Sequence, residues 1–161
     1  MENVTVRIVN QGGQPLPAYA TPQSAGMDLY ANLSAPVVLG PLERTLIPTG
    51  LQIELPNGFE AQVRPRSGLA LKKGLGLVNS PGTIDADYRG EIGVLVVNLS
   101  NTPLEIAPGE RIAQLVVARY ASVQWQVSDD LNPSDRGQGG FGSTGTYGRP
   151  VSTEPNNPPI P

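Results

Sequence analysis

Seven short apolar runs divide this chain, and none has the length or the unbroken periodicity of a substantial helix. They are "VTVRIV" (4–9), "PVVL" (36–39), "RTLIPTGLQIEL" (44–55), "FEAQVR" (59–64), "LGLV" (75–78), "EIGVLVVNL" (91–99) and "RIAQLVVARY" (111–120). The strings between them, such as "LPNG", "NSPG" and "APGE", are turn chemistry. Nineteen glycines and seventeen prolines in 161 residues keep long helices out. In the first run Val4, Val6 and Ile8 alternate onto one face. Many short strands at roughly ten-residue spacing predict an all-β barrel, sandwich or jelly roll. One stretch departs from this, "RPRSGLALKKG". It predicts Ser67 as an N-cap, a short helix over Gly68–Lys73 and Gly74 at its C-terminal stop, with Lys72 and Lys73 at the negative end. Its amino end aims free amides, Arg66 and Ser67 outward, a small anion site.

Absences narrow the chemistry. With no cysteine and no histidine there is no common zinc site, no thiol nucleophile and no Ser-His-Asp triad. Acid–base work falls to carboxylates, Lys or Tyr, and any metal is a hard ion held by oxygens. The net charge of -3, with no basic run longer than Lys72–Lys73, argues against a direct nucleic-acid partner or an anionic membrane. No apolar stretch nears the roughly 18 residues of a membrane span, and "MENVTVRIVN" reads as a strand, so the expected location is cytoplasmic. "GQGGFG" (137–142) matches a dinucleotide fingerprint but precedes a proline-rich tail instead of opening a helix. "DADYRG" starts like a calcium loop, yet Arg89 takes a ligand position and Val96 falls where the glutamate belongs.

After Ser128 the composition changes to Gly, Pro, Ser and Asn. The expected organisation is a β domain over 1–128, a glycine-rich arm over 129–145 and a disordered proline-rich tail over 146–161. Tyr120 and Trp125 are expected in a core or at a subunit contact.

Five separated strings remain: "AGMDLYA" (25–31), "RSGLA" (66–70), "NSPGTIDADYRGEI" (79–92), "GERIAQL" (109–115) and "RGQGGFGSTG" (136–145). In this order they resemble the five motifs of the trimeric deoxyuridine triphosphatase (dUTPase, dUTP pyrophosphatase) family, and the resemblance runs through nearly the whole chain to Gly145. It implies a distorted jelly-roll (β-clip) homotrimer with a swapped C-terminal arm and active sites shared between subunits. It also implies Mg²⁺-dependent hydrolysis of dUTP to dUMP and pyrophosphate, by water attack on the α-phosphorus, which lowers dUTP and supplies dUMP for thymidylate synthesis.

Carried residue by residue, the resemblance makes Asp85 the general base and lets Gln114 hold the α-phosphate or the attacking water. Arg66, Ser67 and Gly68 contact phosphates, and Asp28 touches the water shell of Mg²⁺. Asn79, with the backbone of Gly82, Thr83 and Ile84 in a tight hairpin from Asn79 to Gly90, reads the uracil edge and leaves no room for a 5-methyl group. Tyr88 packs under the deoxyribose and excludes a 2′-hydroxyl. Phe141 covers the uracil while Arg136, Ser143 and Thr144 reach the γ-phosphate, with Gln138, Gly140 and Gly142 completing the arm. Gln138 stands where a small hydroxyl residue is commoner. Asp87 and Glu91 are read as structural.

Ordering ten residues of such an arm costs on the order of 10–20 kcal/mol. One base stacked on an aromatic returns roughly 1–3 kcal/mol, and each charge-assisted hydrogen bond about 1.5–3 kcal/mol. Closure therefore needs the triphosphate, and an arm mobile without nucleotide is expected. The rivals are a deoxycytidine triphosphate deaminase of the same fold and a dUTP-binding regulatory protein. The deaminase pattern "RSSLAR" disagrees at Gly68 and Leu71, and its catalytic glutamate aligns with Leu95, which carries no proton.

Overall fold

The computed structural model describes residues 3–140, which fall into two compact units divided between Val123 and Gln124. Eleven strands and one short helix among the described residues make up the first unit, which bears out the all-β expectation. β1 (Arg7–Asn10) pairs with β5 (Leu51–Glu54), and β3 (Val37–Leu39) with β10 (Leu104–Ile106). β4 (Arg44–Pro48), β9 (Gly93–Asn98) and β7 (Leu75–Leu77) form a sheet in the order β4-β9-β7. A four-stranded sheet has the order β2-β11-β6-β8, from β2 (Met27–Tyr30), β11 (Arg111–Arg119), β6 (Phe59–Pro65) and β8 (Gly82–Ile84). All the pairings are antiparallel. No two consecutive strands pair with each other among the described residues. The chain crosses between sheets where simpler β folds turn back in hairpins, as a jelly roll requires.

Period-two alternation fills one core from all four sheets. Leu29, Ile47, Ile92, Val94, Val96, Ile106 and Ile112 are its most deeply buried large side chains, each contributing about 1.5–3 kcal/mol of transfer free energy. Asn98 is buried with them and fully satisfied: its Nδ2 donates to the carbonyls of Leu39 (2.9 Å) and Thr102 (2.8 Å), and its Oδ1 accepts from Ser100.

Four local expectations are corrected. The first run forms a strand only over Arg7–Asn10, and Ile8 is exposed while Val4 and Val6 are half-buried. The run 44–55 is two strands, because Gly50 sits at φ 72 and packs against the Gly12 backbone with no space for a side chain. The helix α1 spans Ser67–Lys73 with Arg66, not Ser67, as its N-cap; Arg66 is extended and makes no side-chain cap. Its carbonyl accepts from the Leu69 and Ala70 amides, which starts the helix one residue early. Gly74 ends it in the left-handed region at φ 69, as expected. The segment from Asn79 to Gly90 is not a paired hairpin. β8 pairs only with β6, and the chain after it turns through Asp85–Tyr88, where the Tyr88 amide donates to the Asp85 carbonyl at 3.1 Å.

The described part of the second unit holds no helix or strand. Trp125 is 87% exposed, so the expectation of a core position is not met within this chain. Around Arg136 the backbone forms tight turns. The Gly137 amide donates to the Ser134 carbonyl (2.9 Å) and the Arg136 Nε to the Gly139 carbonyl (2.7 Å). No helix among the described residues is long and apolar enough to cross a membrane.

Candidate active site

Alternation along β2 sends Leu29 into the core and leaves Asp28 on the opposite face. On β11 the same logic buries Ala113 and Leu115 and turns Gln114 the other way. The register then sets Gln114 opposite Asp28 on one side and opposite Arg64 on the other. Gly26 lies beside this row, where a Cβ would meet the Gln114 side chain at 3.4 Å. Strand pairing thus joins the first and fourth motifs, and the second follows β6 directly on the same sheet.

Arginines dominate the charge there. Arg66 Nε lies 2.9 Å from Asp28 Oδ1, and Arg111 Nη1 donates to Asp28 Oδ2 at 3.1 Å. Arg66 Nη1 also donates to the Arg111 carbonyl at 2.9 Å. Arg64, in the same row, donates to Gln62 Oε1 through both Nε and Nη2. Two guanidinium groups therefore contact one carboxylate, and a third, on Arg64, lies beyond Gln114 in the same row, an excess of positive charge suited to a polyphosphate. Arg64 and Arg111 were not picked out from the sequence. Arg111 stands inside the string "GERIAQL", and its position beside Asp28 follows only from the β2–β11 register.

Asp28 is only 16% exposed, and its Oδ1 is buried without a well-directed hydrogen bond, since the nearby Arg66 N–H is not aimed at it. That oxygen retains acceptor capacity. No group of three or more acidic side chains that could hold a metal directly occurs among the described residues. This donor set fits a hard cation carried on phosphate oxygens and water, with Asp28 touching the water shell, and does not fit a metal caged by protein. Ser67 and Gly68 lie exposed in the first turn of α1. At Gly68 a Cβ would meet nothing within 4 Å, so packing inside the chain does not demand glycine there. Lys73 is occupied elsewhere, 2.6 Å from Glu110.

The third motif builds a second cluster at the other edge of the sheet. β8 and β2 are separated by three strand spacings, roughly 14 Å. At Gly82 a Cβ would meet Asn79 Nδ2 at 2.9 Å, so the glycine lets the Asn79 amide lie across the start of β8. Thr83 and Ile84 complete the strand, opposite Gln62 and Ala61. Among the described residues no hydrogen bond or ion pair engages the exposed Asp85 carboxylate, which leaves it free to accept one. Tyr88 folds back so that its hydroxyl donates to the Glu91 carbonyl at 3.0 Å. Arg136, Gln138 and Gly140 belong to the second unit, Arg136 and Gln138 on its turn and Gly140 just after it. Phe141, Gly142, Ser143 and Thr144 lie outside the described residues.

Comparison with known proteins agrees with this geometry. The sequence pattern of the dUTPase family matches residues 13–145. The deoxyuridine 5'-triphosphate nucleotidohydrolase of Wolbachia sp. subsp. Brugia malayi (strain TRS) is 59% identical over 133 residues, covering 81% of this chain and 85% of that protein. Its namesake in Wolbachia pipientis subsp. Culex pipiens (strain wPip) is 58% identical over 133 residues, with coverages of 81% and 87%. Among solved structures, the Staphylococcus bacteriophage 80alpha dUTPase with dUpNHpp has a TM-score of 0.79 at 26% identity, over 88% of this chain and 98% of that one. The dUTPase from phage phi11 of S. aureus shares the fold at 22% identity, with a TM-score of 0.70 over 81% and 98% of the two chains. From its jelly-roll strands, its arginine-ringed aspartate and these matches, the chain belongs to the dUTPase family.

Proposed function

We propose that this protein hydrolyses dUTP to dUMP and pyrophosphate. The observation that carries this reading, in a chain of this family, is the pairing of Arg66 and Arg111 with Asp28, with Gln114 and then Arg64 next in register along the same sheet face. It offers one end of a site the charge that a triphosphate needs, while Asp85 and Asn79 offer the other end a base and an amide. Water attacks the α-phosphorus in line with the bridging oxygen to the β-phosphorus. That P–O bond breaks, pyrophosphate leaves with the electron pair, and Asp85 takes the proton of the water. A carboxylate is a weak base, so positioning by Gln114 and charge stabilisation by Arg66 and the α1 amides supply most of the acceleration. Mg²⁺, when bound, neutralises phosphate charge, and the Asp28 carboxylate orients the waters around it. Asn79 and the β8 backbone select uracil, and Tyr88 selects deoxyribose.

The two clusters occupy opposite edges of one sheet, which supports sites completed by a neighbouring copy in a homotrimer. Exposed apolar surface supports the same assembly. The outward face of the β4-β9-β7 sheet carries Leu46 (63% exposed), with Leu99 and Val78 at the ends of its strands. A cavity of about 790 Å³ opens between Val4, Val6, Ile8, Tyr19 and Phe59, and its apolar lining is surface that a neighbouring copy would cover. In the deaminase reading Leu95 takes the place of the acid. It faces Leu46 across the β4–β9 pair, so neither residue of that pair can carry the proton.

The test is pyrophosphate release by the purified protein with Mg²⁺ and dUTP, dTTP, dCTP or UTP. Release from dUTP alone is expected. Binding of dUTP without release leaves the regulatory reading, and ammonia release from dCTP would establish the deaminase.

A further inference from the structure

Glu91, read from the sequence as a structural carboxylate, has a specific task. Its Oε1 accepts a 2.6 Å hydrogen bond from the Gly50 amide, in the turn between β4 and β5. That amide is a fixed point. Gly50 sits at φ 72 against the Gly12 backbone, and its carbonyl accepts from the Gln11 amide at 2.8 Å. The same two segments are tied one residue further on, where Thr49 Oγ1 donates to the Ile92 carbonyl at 2.6 Å and the Ile92 amide to the Leu51 carbonyl at 2.8 Å. Glu91 also supplies the carbonyl that receives the Tyr88 hydroxyl. Between them, Gly90 has no space for a Cβ because the Tyr88 ring occupies it. Tyr88 is 43% exposed, so no core confines its ring. Its hydroxyl bond and the Gly90 backbone hold it.

We propose that Glu91 is the positioning residue of Tyr88, and that its grip on Gly50 sets how strictly a 2′-hydroxyl is rejected. The inference rests on the reading of Tyr88 as the deoxyribose contact. Exclusion by a clash is only as strict as the excluding ring is immobile. Without the Glu91 side chain, Arg89 keeps its bonds to the Ala86 and Tyr88 carbonyls and an exposed 3.9 Å contact with Glu54 of β5, and Ile92 stays tied to Thr49 and Leu51, but none of these replaces the bond from residue 91 to the Gly50 amide. The ring then yields to a ribose.

The experiment measures kcat/KM for dUTP and for UTP in the wild type, Glu91→Ala, Glu91→Asp, Glu91→Gln, Tyr88→Ala and the double variant Tyr88→Ala/Glu91→Ala. Glu91→Ala should lower the dUTP/UTP ratio roughly tenfold, the scale of one lost charge-assisted hydrogen bond. Glu91→Asp, one methylene too short to reach Gly50, should do the same. Glu91→Gln keeps an acceptor oxygen and should keep the ratio. In the Tyr88→Ala background the alanine at 91 should change the ratio no further, since both act through one ring. An unchanged ratio in Glu91→Ala and Glu91→Asp, or equal relaxation with and without Tyr88, overturns the proposal. Where Glu91→Ala fails to fold, Glu91→Asp against Glu91→Gln decides alone. A wild type that does not hydrolyse dUTP refutes the functional reading instead, and a Tyr88→Ala variant that still rejects UTP refutes the role of Tyr88.

Discussion

Replacing Asp28 by Asn tests the arginine cluster because it removes one charge and almost no volume. Two guanidinium groups lose their counter-ion. Arg111 is 53% exposed, so its half of the cluster contributes about 0.2–1 kcal/mol. Arg66 is 25% exposed and lies 2.9 Å from Asp28. Its half sits between a surface pair and the 3–5 kcal/mol lost on breaking a fully buried one, at about 1–2 kcal/mol. Arg66 retains its bond to the Arg111 carbonyl, which limits further loss. The expected total is about 1–3 kcal/mol, or roughly 2–12 °C in melting temperature for a chain of this size. Thermal and urea denaturation followed by circular dichroism measures it. Asp28→Asn should also raise the Mg²⁺ concentration needed for half-maximal turnover, whereas Arg111→Ala should destabilise by no more than about 1 kcal/mol. A melting temperature equal to or above that of the wild type would show that the arginines do not depend on Asp28 and would refute the account of the cluster.

Asp85→Asn should lower kcat by about 10²–10⁴ while the affinity for dUpNHpp, measured by calorimetry, stays near wild type; lost binding would make Asp85 a structural residue. Phe141→Ala should reduce kcat/KM for dUTP roughly 5- to 150-fold, the worth of one stacked base, with the assembled mass unchanged in light scattering. Chelating the metal with EDTA should abolish turnover and leave the melting temperature unchanged, because the described residues offer no metal-holding cluster; a lowered melting temperature would indicate a structural ion.

Strands with clear apolar content were legible in the sequence. "FEAQVR" and "RIAQLVVARY" became β6 and β11, with bounds within a residue or so. β2, β8 and β10 were not legible. Each is short, and their apolar content is interrupted by Asp28, Thr83 and Glu105, so pairing and not local propensity makes them strands. The break at Gly50 was hidden because "PTG" inside a β-branched run looks continuous until the Gly12 contact forces the turn. At the site, motif order marked Asp28, Arg66, Asp85 and Gln114. The same signal could not reveal Arg64, whose place beside Gln114 depends on β6–β11 register, nor the bond from Gly50 to Glu91 across 41 positions. Non-local pairing sets these contacts, and a linear reading does not contain it.

In the proposed account the two clusters form one dUTP-hydrolysing site when a neighbouring copy supplies the third motif. Co-refolding inactive Asp85→Asn with inactive Arg66→Ala tests this directly by pyrophosphate release. If a neighbour supplies the third motif, random mixing in a symmetric ring places an intact Arg66 beside an intact Asp85 at about one site in four, restoring roughly a quarter of the wild-type rate. No activity from the mixture, with mixed assemblies present by native mass spectrometry, would confine each site to one chain and contradict the account.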